Sequence, residues 1–282
     1  MINMMRLELL LTWPSFFVMG AIVGSFLNVC IVRIPREESV VRPKSHCMNC
    51  GTPIPWYLNV PIVGWLMLRG RSACCGEKIS MRYLLIEALT GILFAISWQL
   101  LAPEVAICGM LFSCLLICAF FIDLDHQIIP DHFSIGGAFI GLLLSLLFPS
   151  LHIKDSASLW SIQSNITSLG NGFTGMLMTS SLLMWIAITS ELFLKKETMG
   201  FGDVKLMGCI GAFCGFKTGI ICIFGASILG TLFLMPLILL QNIIPHMQKH
   251  IQWGQRIPFG PFLSLSAIIL FFLQHSNRFQ LW

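Results

Sequence analysis

Phe121-Ile122-Asp123-Leu124-Asp125-His126-Gln127-Ile128-Ile129-Pro130-Asp131 closes one long apolar run and precedes the next, and Gly200-Phe201-Gly202-Asp203-Val204-Lys205 stands at the start of another. A carboxylate at a membrane rim is costly, so each of these stretches is a functional-site candidate by default. The runs they interrupt decide the fold. Eight apolar segments, near 13–32, 83–101, 105–122, 132–150, 172–194, 204–216, 219–241 and 257–274, approach the length of about 20 residues that a span needs. The segment at 204–216 is short and glycine-rich, so it is expected to be tilted, broken or enclosed by protein.

The whole composition agrees. Of 282 residues 56% are hydrophobic and 11% charged, with a mean hydropathy of +0.83, whereas about a quarter of a soluble domain is charged. The fold class is therefore an all-α polytopic membrane protein with about eight transmembrane helices. The first segment carries no small-residue cleavage signature and reads as a retained span. A net charge of +4 gives no reason to expect nucleic acid as a partner; the partner composition demands is membrane lipid.

Charge distribution sets the topology. With the N-terminus outside, the inner segments hold Arg33, Arg36, Arg42, Lys44, Arg69, Arg71, Lys78, Arg82, Lys195, Lys196, Lys205, Lys249 and Arg256, against Arg6, Lys154, Lys217 and Arg278 outside. That is 13 against 4, and basic loops stay in the cytoplasm. Both acidic stretches then share the cytoplasmic face and can meet. Residues 1–32 read as the first helix, 33–82 as a basic, cysteine-containing cytoplasmic subdomain, and 83–282 as a core of about seven helices. The connection at 151–171 reads as an outer loop without chemistry.

Two carboxylates that share a site cannot both ionise, so one retains a proton. The ionised one can then activate water while its partner donates to a carbonyl oxygen. Gly200 and Gly202 around Asp203 permit close approach of another backbone, Lys205 can anchor at the headgroups or tune a carboxylate, and Pro130 separates the third span from the fourth. Plainer readings stand beside these. Asp123 and Asp125 can be a solvated turn, Asp131 a cap of the fourth span and Asp203 a cap of the sixth. His126 is expected to be exposed and Glu191 interfacial.

Cys30, Cys108, Cys114, Cys118, Cys209, Cys214 and Cys222 lie in or beside the apolar segments and read as small buried hydrophobes. The other four, Cys47, Cys50, Cys74 and Cys75, lie in the subdomain, where cytoplasmic thiols stay reduced. Such a constellation suits a tetrahedral zinc ion better than a disulfide.

The chain resembles the bacterial type IV prepilin peptidases (prepilin leader peptidase/N-methyltransferases) of the GxGD aspartic protease group. The resemblance is carried by Gly24-Ser25-Phe26-Leu27-Asn28-Val29, Trp56-Tyr57-Leu58-Asn59-Val60-Pro61, Leu68-Arg69-Gly70-Arg71, Met81-Arg82-Tyr83-Leu84-Leu85-Ile86-Glu87, Phe121 to Asp131, Met199 to Leu206 and Ile257-Pro258-Phe259-Gly260-Pro261-Phe262. It implies Asp123 and Asp203 as the catalytic pair, with Asp125 the alternative for the first position. It implies an enzyme of the bacterial inner membrane, active at the cytoplasmic face on prepilin and pseudopilin substrates of pilus and type II secretion assemblies. S-adenosylmethionine is the implied methyl donor, and Asn28 and Glu87 are candidates for a cavity wall. The family's paired Cys-x-x-Cys pattern is broken here: Ser72 stands where the third cysteine is expected, and Cys74 or His46 is the candidate replacement. A transporter using rim carboxylates is the rival class, and it would call for acidic groups deep in several spans.

Overall fold

The computed structural model describes residues 2–47, 49–153, 161–195, 199–243 and 258–276, with side chains described except at 2–11 and 237–243. Helices dominate: α1 Ile2–Arg33, α2 Val63–Met67, α3 Met81–Leu100, α4 Pro103–His126, α5 Ile135–Leu147, α6 Ile162–Leu194, α7 Phe201–Ile243 and α8 Gly260–His275. Among the described residues there are no strands, and five helices are long and apolar enough to cross a membrane, with α5 and α8 shorter but also apolar. The protein is an all-α, multi-pass membrane protein. Lys154, Lys196, Lys249, Arg256 and Arg278, used in the charge count, lie outside the described residues.

The chain divides into two compact units, Met1–Cys118 and Ala119–Trp282. In the first, α1 packs along α3. Gly24 lies so near α3 that an added Cβ would stand 2.8 Å from the Cα of Glu87. Phe16 stacks on Trp98 with ring centroids 4.1 Å apart, and the Trp98 indole donates to the Thr12 hydroxyl.

In the second unit α7 lies against α5, α6 and α8. Its first half is enclosed: Leu206, Met207, Cys209, Ile210, Ala212 and Phe213 have no exposed surface. The expectation for 204–216 is met by burial and by a break. Gly215 has φ 75° and ψ 177°, a conformation closed to other residues, and it divides α7 into two helices. The break frees the Ala212 carbonyl, and His152 repairs it: its Nε2 lies 3.1 Å from that oxygen and 3.0 Å from the Ser145 hydroxyl. A ring nitrogen serves a carbonyl only as N–H, so Nε2 carries the proton here, and the Ser145 hydroxyl lies 3.4 Å from the same oxygen. Burial holds the His152 imidazole down, to about 4, which keeps it neutral. His275 closes the same region by reaching the Leu151 carbonyl.

Two boundaries differ from expectation. The expected outer loop 151–171 is helical from Ile162, because Ser161 and Ser164 form a reciprocal capping box that starts α6 about three turns early. The fourth span is shorter than expected, Ile135–Leu147, with Ser134 at its N-cap position and no side-chain cap bond. Asp131 does not cap it.

Candidate active site

The last turn of α4 carries Asp123 on its buried face, while Asp125, His126 and Gln127 face outward. This separates the two candidates for the first carboxylate: Asp123 is 5% exposed and Asp125 is exposed. The chain then turns through Gln127, whose φ is 54°, and Ile129 is driven inward to 8% exposure. Pro130 ends the extended stretch.

Asp203 enters from the other side. It is the third residue of α7 and 6% exposed. Its backbone N–H donates to the Gly200 carbonyl, and the backbone of Gly200 offers a hydrogen bond to the Asp203 carboxylate in return. Asp203 is thus inside the first turn, not at its cap. The two carboxylates lie within Coulombic range of each other.

A third segment completes the site. Gly260, the first residue of α8, directs its backbone at Asp123. The contact is tight: an added Cβ would lie 2.6 Å from Asp123 Oδ2 and 3.1 Å from Ile129 Cδ1. Across from it, a Cβ on Gly202 would lie 3.2 Å from Ile129 Cβ. Ile129 is therefore wedged between the two glycines. Each carboxylate meets a helix start, where partial positive charge favours anions. Asp123 Oδ2 is buried and has no hydrogen-bond partner among the described residues.

Lys205 is not turned to either of these carboxylates. It donates to Asp131 Oδ1 at 2.7 Å and lies 5.3 Å from the centre of the Phe201 ring. The sequence pointed to both Lys205 and Asp131, but not to their pairing. Nor did it link Gly260 to Asp123; the only signal was the helix-start pattern Pro258-Phe259-Gly260-Pro261.

In the first unit the cysteine cluster is assembled. The sulfurs of Cys47, Cys50, Cys74 and Cys75 all lie within 4.8 Å of one another. Cys47 and Cys75 are 3.7 Å apart, and Cys50 and Cys74 are 3.0 Å apart. A tetrahedral zinc with bonds of about 2.3 Å needs sulfurs about 3.8 Å apart, so the four thiols match an ion after small shifts.

Their backbones explain how. Cys47 donates to Thr52 and accepts from Gly51; Ser72 donates to Glu77 and accepts from Gly76. Gly51 and Gly76 both have φ 71°. These are two copies of one turn, in which Ser72 occupies the place of Cys47 and Cys75 the place of Cys50. Cys74 is the neighbour that swings its thiol to within 3.1 Å of the Ser72 hydroxyl. His46 instead turns its Nδ1 to the Lys44 carbonyl. Hydrogen bonding from Ser72 pulls the Cys47 thiol down to about 5, while its neighbour Cys50 pushes the Cys74 thiol up to about 11.

Asn28 and Glu87 hold the other end of this unit together. Asn28 Nδ2 donates to the Tyr83 carbonyl at 3.2 Å. Glu87 Oε2 accepts the N–H of Ile62 at 2.7 Å. Ile62 has φ 63° and ψ −54°, a costly conformation for a β-branched residue, and Glu87 secures it. The span cysteines are buried except Cys114, which is partly exposed.

Comparison with known proteins agrees with this architecture. Residues 18–101 match the bacterial peptidase A24 N-terminal domain, and residues 110–235 match the type IV leader peptidase family. The chain is similar to the prepilin leader peptidase/N-methyltransferase of Neisseria gonorrhoeae, at 31% identity over 92% of this chain and 89% of the relative. It is similar to the enzyme of the same name from Klebsiella pneumoniae, at 37% identity over 73% of this chain and 86% of the relative. A type 4 prepilin-like proteins leader peptide-processing enzyme of Escherichia coli is 34% identical over 90% of this chain and 91% of the relative. No solved structure is a significant match. With both family models matched in order and relatives aligned along nearly their whole length, the chain belongs to the type IV leader peptidase family.

Proposed function

We propose that this protein removes the leader peptide of type IV prepilins or of secretion pseudopilins and methylates the new N-terminus, as the names of its relatives describe. The observation that carries the peptidase reading is the meeting of Asp123 and Asp203, both buried and each backed by a helix start. Two such carboxylates hold one proton between them. The ionised member takes a proton from a water that attacks the scissile carbonyl. The protonated member donates to the carbonyl oxygen as it becomes tetrahedral. Gly200 and Gly202 leave room for the substrate backbone. The excess of basic residues on the inner segments supports a site at the cytoplasmic face of the inner membrane, where a charged leader joins an apolar helix. The transporter alternative is left without support by family membership.

The methyl donor implied by that activity is S-adenosylmethionine, which supplies an electrophilic methyl group to the freed amine. Asn28 joins α1 to α3 through the Tyr83 carbonyl and Glu87 joins α3 to the subdomain through the Ile62 N–H, so neither is assigned as a ligand of the methyl donor. For zinc the donor set does fit. Cys47, Cys50, Cys75 and Cys74 would hold the ion, with Cys74 in place of the residue at 72, and the ion would staple the two turns of the subdomain into one body.

The test is incubation of the purified protein with a purified prepilin and labelled methyl donor, scored by N-terminal mass. Loss of the leader with gain of a methyl group is the expected product. An intact prepilin would overturn the reading, and cleavage without label would reduce the activity to proteolysis.

A further inference from the structure

The turn between α4 and α5 is fastened on two sides. Inside, Ile129 fills the gap between Gly202 and Gly260. Outside, Asp131 takes the ammonium of Lys205 at 2.7 Å. Asp131 lies eight residues beyond Asp123, and Lys205 lies two beyond Asp203, so this one contact ties the two carboxylate-bearing segments together.

The setting says what the contact is for. Asp131 is 60% exposed and Lys205 is 27% exposed. Ion pairs in such positions add little to stability. Geometry is another matter, because small displacements of reacting groups are expensive in rate. Lys205 is also held from behind by the Phe201 ring, which limits where its ammonium can go. The chain therefore spends an exposed charge pair at the point where Asp123 and Asp203 must be kept in register.

We propose that the Asp131–Lys205 pair is a positioning device for the peptidase: it latches the Gln127–Asp131 turn to the first turns of α7 and so fixes the separation of Asp123 and Asp203. Neither residue handles a proton of the reaction. The inference rests on the peptidase reading above. It makes Lys205 a partner of the turn, not a tuner of the catalytic carboxylates.

The experiment is steady-state cleavage of a purified prepilin by reconstituted enzyme, normalised to folded protein. The variants are Lys205→Ala, Asp131→Ala, Lys205→Arg and the exchange Asp131→Lys with Lys205→Asp. Each alanine variant should lose about ten- to a hundredfold in kcat with KM changed by no more than about threefold. Lys205→Arg and the exchange should return kcat to within about tenfold of wild type, because either restores an opposite-charge pair across the same gap. Alanine variants with wild-type kcat per folded molecule would overturn the proposal. So would an exchange variant no better than the single ones. A wild-type enzyme that fails to cleave would instead overturn the peptidase reading itself.

Discussion

Gly260 stands so close to Asp123 that one methyl group there would meet the carboxylate oxygen at 2.6 Å. The start of α8 is thus part of the carboxylate site, although it lies 137 residues from Asp123 in sequence (260 minus 123). What a side chain at position 260 would displace is backbone-anchored on every side: Asp123 sits on α4, and Ile129 is wedged against Gly202.

Gly260→Ala should therefore cut cleavage by about ten- to a hundredfold by pushing Asp123 out of line. Gly208→Ala serves as the contrast, because the nearest atoms to its Cβ, on Met176 and Ser180, lie at ordinary contact distances of 3.6 to 4.0 Å. That variant should keep full activity and gain up to about 1 kcal/mol from helix propensity. Prepilin cleavage and thermal unfolding of the two proteins, measured side by side, check both halves.

Zinc content tests the subdomain. Elemental analysis should find about one zinc per chain. Cys74→Ser should abolish it, and adding Ser72→Cys to that variant should restore it, since position 72 is the place that matches Cys47 in the paired turns. Zinc displaces thiol protons, and the neighbouring Cys50 holds the Cys74 thiol up, at about 11 without metal. Acid must therefore compete with the metal, and a chelator titration should show weaker binding at about pH 6 than at about pH 8. Binding that is indifferent to Cys74 would remove it from the ligand set.

His152 offers a test of the break in α7. His152→Ala leaves the Ala212 carbonyl with only the long Ser145 hydroxyl contact, at a cost of about 1 kcal/mol. The pH sense follows from the depressed imidazole. Its folded value of about 4 lies below the ordinary 6.5, so the unfolded chain binds the proton first. Stability is present above about pH 6.5 and is lost as pH falls toward about 4. Thermal unfolding should show this decline in the wild type and a flatter response in His152→Ala.

Glu87 can be tested through the strain it holds. Glu87→Ala frees the Ile62 N–H and the turn at 61–63, and limited proteolysis should then cut the subdomain there at least about fivefold faster. Ile62→Gly in the same background should slow the cutting again, because glycine adopts φ 63° without cost.

The legible part of this molecule was the part written in local sequence. Apolar runs gave the helices, and the two acidic stretches gave the carboxylates that the fold brings together. The early start of α6 is hard to read because residues 162–171 are mostly polar, and a helix begun by Ser161 and Ser164 does not need an apolar face at once. Asp131 reads as a cap from sequence, which shows only its neighbours along the chain, whereas its partner Lys205 is 74 residues away. The match between Ser72 and Cys47 was legible as a broken pattern. That Cys74 could still reach the cluster was not, because it depends on the direction of one thiol within a turn.

The central claim is that Asp123 and Asp203 act as a pair. It is tested most directly by purified Asp123→Asn and Asp203→Asn proteins given a prepilin, with the released leader measured by mass spectrometry. Amide replacement keeps shape and removes the charge and the shared proton, so each variant should remain in the membrane fraction and lose cleavage by at least about a thousandfold. Cleavage near the wild-type rate by either variant would contradict the account.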